Sequence, residues 1–426
     1  MVKIWRSLSL IKQIVIGIVI GIILGLVVPK WTLIALLGDL FVGALKGIAP
    51  VLVFFLILAS LSRHTKGQQT HMKTVISLYL SATFVAALVA VAASYLFPVE
   101  LVLPKAIQNQ QVPENMTDIL SGILLDAVGN PFKAIIDGNY LSILFWSCLM
   151  GLGLRVAFKE TKRVISDIGD AVSDIVQVII KFAPVGIVGL VFNSVTTVGL
   201  SGMTDYFKII VLVVGSMLFV SFVVYPLMVF LLLRQNPYPL TIYTMKESGI
   251  PAFFTRSSAV NIPINMELCA RLGLDKDSYS ISIPLGASAN SGGAAMTITI
   301  MTLAAAHTLG MAIPFVLAFL LCLLSAIAAT GASGIAGGSL LLIPLACSLF
   351  NISNDVAMQV VGIGFVIGVI QDSVETAVNS ASDLLFAATA EFYDLKKNGQ
   401  PVDINQRVAE AKKNHSQSVN TVKISS

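Results

Sequence analysis

Three carboxylates crowd one short stretch near the end of the chain, Gln371-Asp372-Ser373-Val374-Glu375-Thr376-Ala377-Val378-Asn379-Ser380-Ala381-Ser382-Asp383. The surrounding residues, 356–390, are otherwise apolar enough to form a membrane-crossing helix. At 3.6 residues per turn, Asp372, Glu375, Thr376, Asn379 and Asp383 fall within an arc of about 100°. One face of that helix is therefore polar along its length. A charged side chain at the centre of a membrane helix costs roughly 2.5–3.5 kcal/mol on the insertion scale. These carboxylates must then face a cavity, cations or hydrogen-bond donors instead of lipid.

The preceding apolar segment, 280–306, is interrupted by Pro284-Leu285-Gly286-Ala287-Ser288-Ala289-Asn290-Ser291-Gly292-Gly293-Ala294. Adjacent glycines and small polar residues let a helix unwind in mid-membrane. Unwound carbonyls are hard oxygen ligands, and an amide such as Asn290 with a carboxylate such as Asp383 completes a shell suited to sodium. Transition-metal chemistry finds no support: His64, His71, His307 and His415 are scattered, and none pairs with a cysteine. Cys148, Cys269, Cys322 and Cys347 lie in or beside apolar stretches, as small buried hydrophobes do.

The elements that position these residues follow from composition. The 426 residues are 56% hydrophobic and only 12% charged, against roughly 25% charged in a soluble domain. That excludes a cytosolic enzyme, a secreted disulfide scaffold and a nucleic-acid-binding module. The solvent for most of the chain is a lipid bilayer. Apolar runs near the length of a crossing occur at 10–29, 33–61, 74–98, 139–157, 172–200 and 207–233. The first ends at Val27-Val28-Pro29-Lys30 without a small-residue cleavage site and is read as a retained helix. Basic clusters follow the second, fourth and sixth runs, at Arg63, Lys66 and Lys73, at Arg155 to Arg163, and at Arg234 and Lys246. They place the N-terminus in the cytoplasm and the 99–138 connection outside.

Segment 247–275 is too broken to span and has basic residues on both flanks, at Lys246 and at Arg271 and Lys276. It reads as a re-entrant hairpin from the cytoplasmic side. Segment 311–350 has an uncharged, glycine-rich centre, Thr330-Gly331-Ala332-Ser333-Gly334-Ile335-Ala336-Gly337-Gly338-Ser339, and reads as a second hairpin from outside. The expected fold is an all-α membrane protein with eight transmembrane helices and two re-entrant helical hairpins, arranged as inverted repeats. Three regions are expected: a six-helix half over 1–238, in which 74–98 and 207–233 associate with the core; a binding core over 239–395; and a solvated cytoplasmic tail over 396–426 with a short helix at 404–413. Inverted pairs of broken segments are a feature of secondary transporters, with the site at the midplane. Hairpin tips offer free backbone N–H groups to a substrate carboxylate, and Asp372 can take a substrate ammonium.

In these motifs the chain resembles the dicarboxylate/amino acid:cation symporters, the glutamate-transporter fold, and within them the bacterial serine/threonine:sodium branch. The resemblance is carried by Phe182-Ala183-Pro184-Val185-Gly186-Ile187 in the fifth span and Thr255-Arg256-Ser257-Ser258 in the first hairpin tip. It continues in Asn290-Ser291-Gly292-Gly293-Ala294, where the family has Asn-Met-Asp-Gly-Thr, and in Gly334-Ile335-Ala336-Gly337-Gly338-Ser339 in the second tip. The last span matches the family pattern D-x-x-R-T-x-x-N-x-x-x-D except at Glu375. The resemblance implies that Asp372 binds the substrate ammonium and that Thr376 and Asn379 line the substrate, with Glu375 at its side chain. Arg256, Ser257, Ser258, Ile335 and Ser339 then close around it from the hairpins. One sodium site is implied at Asn379, Asp383 and the carbonyls of Gly286 and Asn290, and another around Ser288, Ser291 and the second hairpin. A homotrimer with elevator-like movement is implied too.

Two departures refine this. Acidic-substrate members have arginine where this chain has Glu375, and two like charges 4 Å apart repel by about 4 kcal/mol at an effective dielectric of 20. A neutral side chain with a hydroxyl fits better, which points to serine and threonine. Without substrate Glu375 needs a partner, for which Arg256 is the candidate; the alternative is a protonated Glu375. Gly292 replaces the family's aspartate of a third sodium site, so one or two coupled sodium ions are expected. The expected function is symport of serine and threonine with sodium across a bacterial cytoplasmic (inner) membrane, with both termini cytoplasmic and no cofactor. The alternatives are sodium- or proton-coupled symport of other small neutral amino acids, such as alanine, or of dicarboxylates. An intramembrane hydrolase fits poorly: no intramembrane histidine serves Ser257 or Ser258, and Asp372 and Asp383 stand about 16 Å apart by helical rise.

Overall fold

The computed structural model describes residues 10–63, 72–101, 127–199, 202–332 and 337–413, with 103, 121, 124 and 125 besides. Among these every regular element is a helix. Four helices are long and apolar enough to cross a membrane: Thr32–Ala59, Met72–Leu96, Tyr206–Leu233 and Asn354–Lys397. A bent pair, Lys159–Lys181 and Ala183–Thr197, meets the same test as one unit. The chain is a multi-pass membrane protein. Two further apolar helices, Lys12–Val27 and Tyr140–Val156, are shorter. Most of the 99–138 connection lies outside the described residues; its last part forms a helix at Pro131–Asp137, capped by the Asn130 side chain.

The apolar run at 172–200 is not one straight helix. The helix begins earlier, at Lys159, and bends by 56° at Phe182. Pro184 stands in the first turn after the bend, where its missing N–H has no helical partner to lose. Lys159, Lys162 and Arg163 therefore sit on a helix and not in a loop. Two π-helical turns, Val220–Val224 and Met245–Gly249, each end two residues before a proline, Pro226 and Pro251. Widening the helix there accommodates the proline ring and the lost donor without ending the element.

The core is built from two helical hairpins, a broken helix and the long last helix. The first hairpin has arms Tyr238–Thr255, which include the second π turn, and Ser258–Arg271. Its first arm thus begins nine residues before the expected 247, because Pro239 opens a helix as readily as it ends one. The second hairpin runs from Phe315–Ala332 to Gly338–Ser348; Ser333 to Ala336 lie outside the described residues. Between the hairpins, Lys276–Ala289 and Gly292–Thr308 are separated at Asn290 and Ser291. The expected unwinding is present, just before the paired glycines. Gly292 to Ala306 are buried without exception, which gives this half-helix no lipid-facing side.

The tail helix at 404–413 is present but is not a solvated face. Ile404, Val408 and Ala411 are buried. Gln235 donates to the Val402 carbonyl at 2.6 Å and accepts the Ile404 N–H at 3.0 Å. The Arg407 guanidinium lies 5.9 Å above the Phe392 ring. An apolar stripe at i, i+4 and i+7 docks this helix on the base of the core.

Candidate functional site

The polar face of Asn354–Lys397 is buried throughout: Asp372, Glu375, Thr376, Asn379 and Asp383 are each at most 8% exposed. Asp372 joins the two hairpins. Its Oδ2 accepts from Arg256 Nε at 2.6 Å, and its Oδ1 accepts from the Gly337 N–H at 3.1 Å. Arg256 has φ +52°, an uncommon left-handed conformation for a residue with a side chain. That conformation ends the first arm and aims the guanidinium at the last helix, where it also donates to the Gly368 carbonyl at 3.3 Å. Ser257 caps the second arm by accepting the Val260 N–H at 3.3 Å, and Ser258 is buried beside it.

Arg256 is thus not the partner of Glu375. Its reach is taken by Asp372, which stands almost one turn earlier on the same face. Three other groups hold Glu375 through one oxygen, Oε2: Thr297 Oγ1 at 2.7 Å, Ser339 Oγ at 2.8 Å and Gln371 Nε2 at 2.5 Å. Hydrogen bonds to an ionised acceptor are shorter and stronger than neutral ones. Thr297 and Gln371 were not among the expected site residues. Gln371 could have been found from its spacing, four residues before Glu375 on the same helical face. Thr297 sits in the uniform small-residue run after the break, and nothing in the sequence singles it out.

Thr376 donates back to the Asp372 carbonyl at 2.8 Å. Asn379 accepts the Gly293 N–H at 2.8 Å, which ties the last helix to the start of the half-helix. Asp383 Oδ1 accepts from Asn290 Nδ2 at 2.9 Å, and the same amide donates to Ser382 Oγ at 2.7 Å. The Asn290 Oδ1 and Ser291 Oγ atoms are buried with no hydrogen-bond partner. Unpaired buried oxygens cost free energy, and a desolvated alkali cation beside a carboxylate would satisfy them. Gly286 packs against Asp383: a side chain at 286 would come within 3.0 Å of Asp383 Oδ1 and 2.8 Å of the Tyr79 hydroxyl. The Gly286 carbonyl already accepts the Asn290 N–H at 2.9 Å, leaving its second lone pair. Tyr79, also unforeseen, donates to the Asp383 carbonyl at 3.1 Å. Ser288 is exposed, and no hydrogen bond of its side chain joins this cluster. Ile335 lies outside the described residues.

A small cavity of about 10 Å³ opens beside Asp372, Arg256 and Gly337. Its far wall is formed by Leu10 and Ile14 of the first helix and by Ile180 and Ala183 at the bend. It holds about one water and no amino acid.

A family model, the sodium:dicarboxylate symporter family, matches residues 10–391. The chain belongs to that family. Its relatives include a protein named serine/threonine transporter SstT from Enterococcus faecalis, 58% identical over 96% of this chain and 98% of the relative. One of the same name from Lacticaseibacillus paracasei is 57% identical over 97% of this chain and 95% of its own length. Another, from Bifidobacterium adolescentis, is 54% identical over 93% of each. The chain is a transporter and not an enzyme.

Proposed function

We propose that this family member imports serine and threonine by symport with sodium. The carrying observation is Glu375, a carboxylate held by donors inside the buried polar cluster, at the position where the family's acidic-substrate members have arginine. The names of the relatives agree with this reading. A substrate ammonium would take the place of the Arg256 guanidinium on Asp372. A substrate hydroxyl would donate to Glu375, in the way the Ser339 hydroxyl does. An aspartate side chain would instead bring a second carboxylate to Glu375. Thr376 and Asn379 would line the substrate, and Ser257, Ser258 and Ile335 would complete the closure from the hairpins.

Sodium would be held by Asp383 and Asn379 with the Gly286 and Asn290 carbonyls, and a second ion by backbone around Ser288, Ser291 and the second hairpin. The unpaired Asn290 Oδ1 and Ser291 Oγ support oxygen donors beyond these. At Gly292 a Cβ would come within 2.1 Å of the Tyr225 hydroxyl. That leaves no room for the acidic side chain other family members have there, and it favours one or two coupled ions over three. We read the architecture as eight spans with two re-entrant hairpins in inverted repeat. The core over 239–395 would move as an elevator within a homotrimer in a bacterial cytoplasmic membrane, both termini inside.

The test is uptake of labelled serine into proteoliposomes with an imposed sodium gradient. The reading expects uptake that needs inward sodium. Equal uptake without sodium, or uptake driven by a proton gradient alone, would reject the coupling.

A further inference from the structure

If Glu375 reads a substrate hydroxyl, something must keep its carboxylate turned to that task. One cation nearby competes for it. Asp372 stands three residues before it, and Arg256 reaches Asp372 from the first hairpin tip at 2.6 Å. A Glu375 side chain free to rotate could turn toward the guanidinium, which would consume the acceptor that a hydroxyl needs.

The donors that prevent this form a closed ring. Gln371 Nε2 donates both to Thr297 Oγ1 at 2.8 Å and to Glu375 Oε2 at 2.5 Å. Thr297 in turn donates to Glu375 Oε2 at 2.7 Å. A threonine hydroxyl has one proton to give. Its other acceptor is the Gly293 carbonyl, one helical turn back at 3.1 Å. Gln371 holds both the threonine oxygen and the carboxylate, so the two side chains stay side by side whichever acceptor takes that proton. Thr297 lies on the wholly buried half-helix 292–308 and Gln371 on the last helix, and neither is on a hairpin tip. Ser339, the third donor, is on the second hairpin just past its tip.

We propose that Thr297 and Gln371 are positioning residues that set substrate specificity through Glu375: they hold its carboxylate away from Arg256 as a fixed acceptor for a side-chain hydroxyl. Ser339 is the exchangeable donor, and the substrate hydroxyl takes its place. A substrate with a methyl group leaves the held anion short of a partner. A substrate with a carboxylate meets like charge. This rests on the Glu375 reading above, so the experiment separates the two.

The experiment measures how well serine and alanine compete with labelled threonine for uptake by the full-length protein in proteoliposomes. The wild type is expected to favour serine over alanine at least tenfold. Thr297→Val and Gln371→Leu are expected to lower that ratio about tenfold through weaker serine competition, with alanine changed less than twofold. Thr297→Ser, which keeps the hydroxyl, retains the ratio. Glu375→Gln collapses it. Should a variant lack uptake, thermal stabilisation of the purified protein by serine and by alanine gives the same ratio. An unchanged ratio in Thr297→Val and Gln371→Leu, or parallel loss for both amino acids, overturns this inference while Glu375→Gln still collapses the ratio. An unchanged ratio in Glu375→Gln, or no serine preference in the wild type, overturns the underlying reading of Glu375 itself.

Discussion

The two hairpins approach the same last helix but are fastened to it differently. The first is held by a buried amide and hydroxyl cluster around Ser380 that makes no use of the carboxylates. Asn261 Nδ2 donates to Ser380 Oγ at 2.6 Å and to Ser248 Oγ at 3.0 Å. Asn265 Nδ2 donates to the Ser380 carbonyl at 3.0 Å. The second hairpin is fastened near its tip through the carboxylates themselves, Gly337 N–H to Asp372 and Ser339 to Glu375. In the proposed binding mode a substrate hydroxyl would compete for the Ser339 tie of the second hairpin and a substrate ammonium for the Arg256 contact of the first, leaving the Asn261 and Asn265 cluster intact. Substrate arrival would then loosen the second hairpin at Ser339, whereas the first would give up only the Arg256 contact and keep its amide cluster.

The largest effect is expected where both hairpins share a residue. Asp372→Asn removes the charge that pairs with Arg256 and would pair with a substrate ammonium. Truncating a buried charge pair costs about 2–5 kcal/mol, so serine uptake should fall by a hundredfold or more in the proteoliposome assay. Uptake within tenfold of the wild type would show that Asp372 is not the ammonium pole.

Asn261→Leu attacks the first hairpin alone. It removes the amide donor of the Ser248 carbonyl and hydroxyl and one of the two amide donors of Ser380 Oγ, which keeps Asn265 Nδ2 at 3.2 Å, at about 1–3 kcal/mol for a buried group left unpaired. Thermal unfolding should shift down by several degrees, with serine affinity in the folded protein nearly unchanged. A large affinity change with no loss of stability would reverse the roles given to the two hairpins.

Ser339→Ala attacks the second hairpin alone and should act in the opposite sense. One exchangeable donor is lost, stability hardly moves, and serine affinity changes by about threefold to tenfold, corresponding to a net hydrogen bond of about 1 kcal/mol. Equilibrium binding of serine to the purified variant checks this.

The polar face of the last helix and the break at Asn290 were legible in the sequence, because carboxylates and paired glycines in apolar runs have few alternative explanations. The family was legible from motifs. What stayed hidden depends on reach and not on type. Arg256 could serve either Asp372 or Glu375, and only its left-handed backbone decides for Asp372. Thr297 looks like any small residue in a buried half-helix until its hydroxyl is seen 2.7 Å from Glu375 Oε2, with Gln371 bridging the two. The 172–200 run is longer than a straight crossing needs, which suggests tilt or a break, but the place of the bend at Phe182 stayed hidden because Pro184 also suits a straight start. The tail helix was placed at 404–413, but its docking stripe of Ile404, Val408 and Ala411 is short enough to pass for a solvated face.

The central claim is that a held carboxylate at 375 selects hydroxyl side chains and turns away acidic ones. Its most direct test is competition of unlabelled serine and unlabelled aspartate against labelled threonine uptake by the wild-type protein in a sodium gradient. The account predicts that serine displaces threonine at comparable concentration and that aspartate fails to do so at a hundredfold higher concentration. Aspartate competing as well as serine would contradict it.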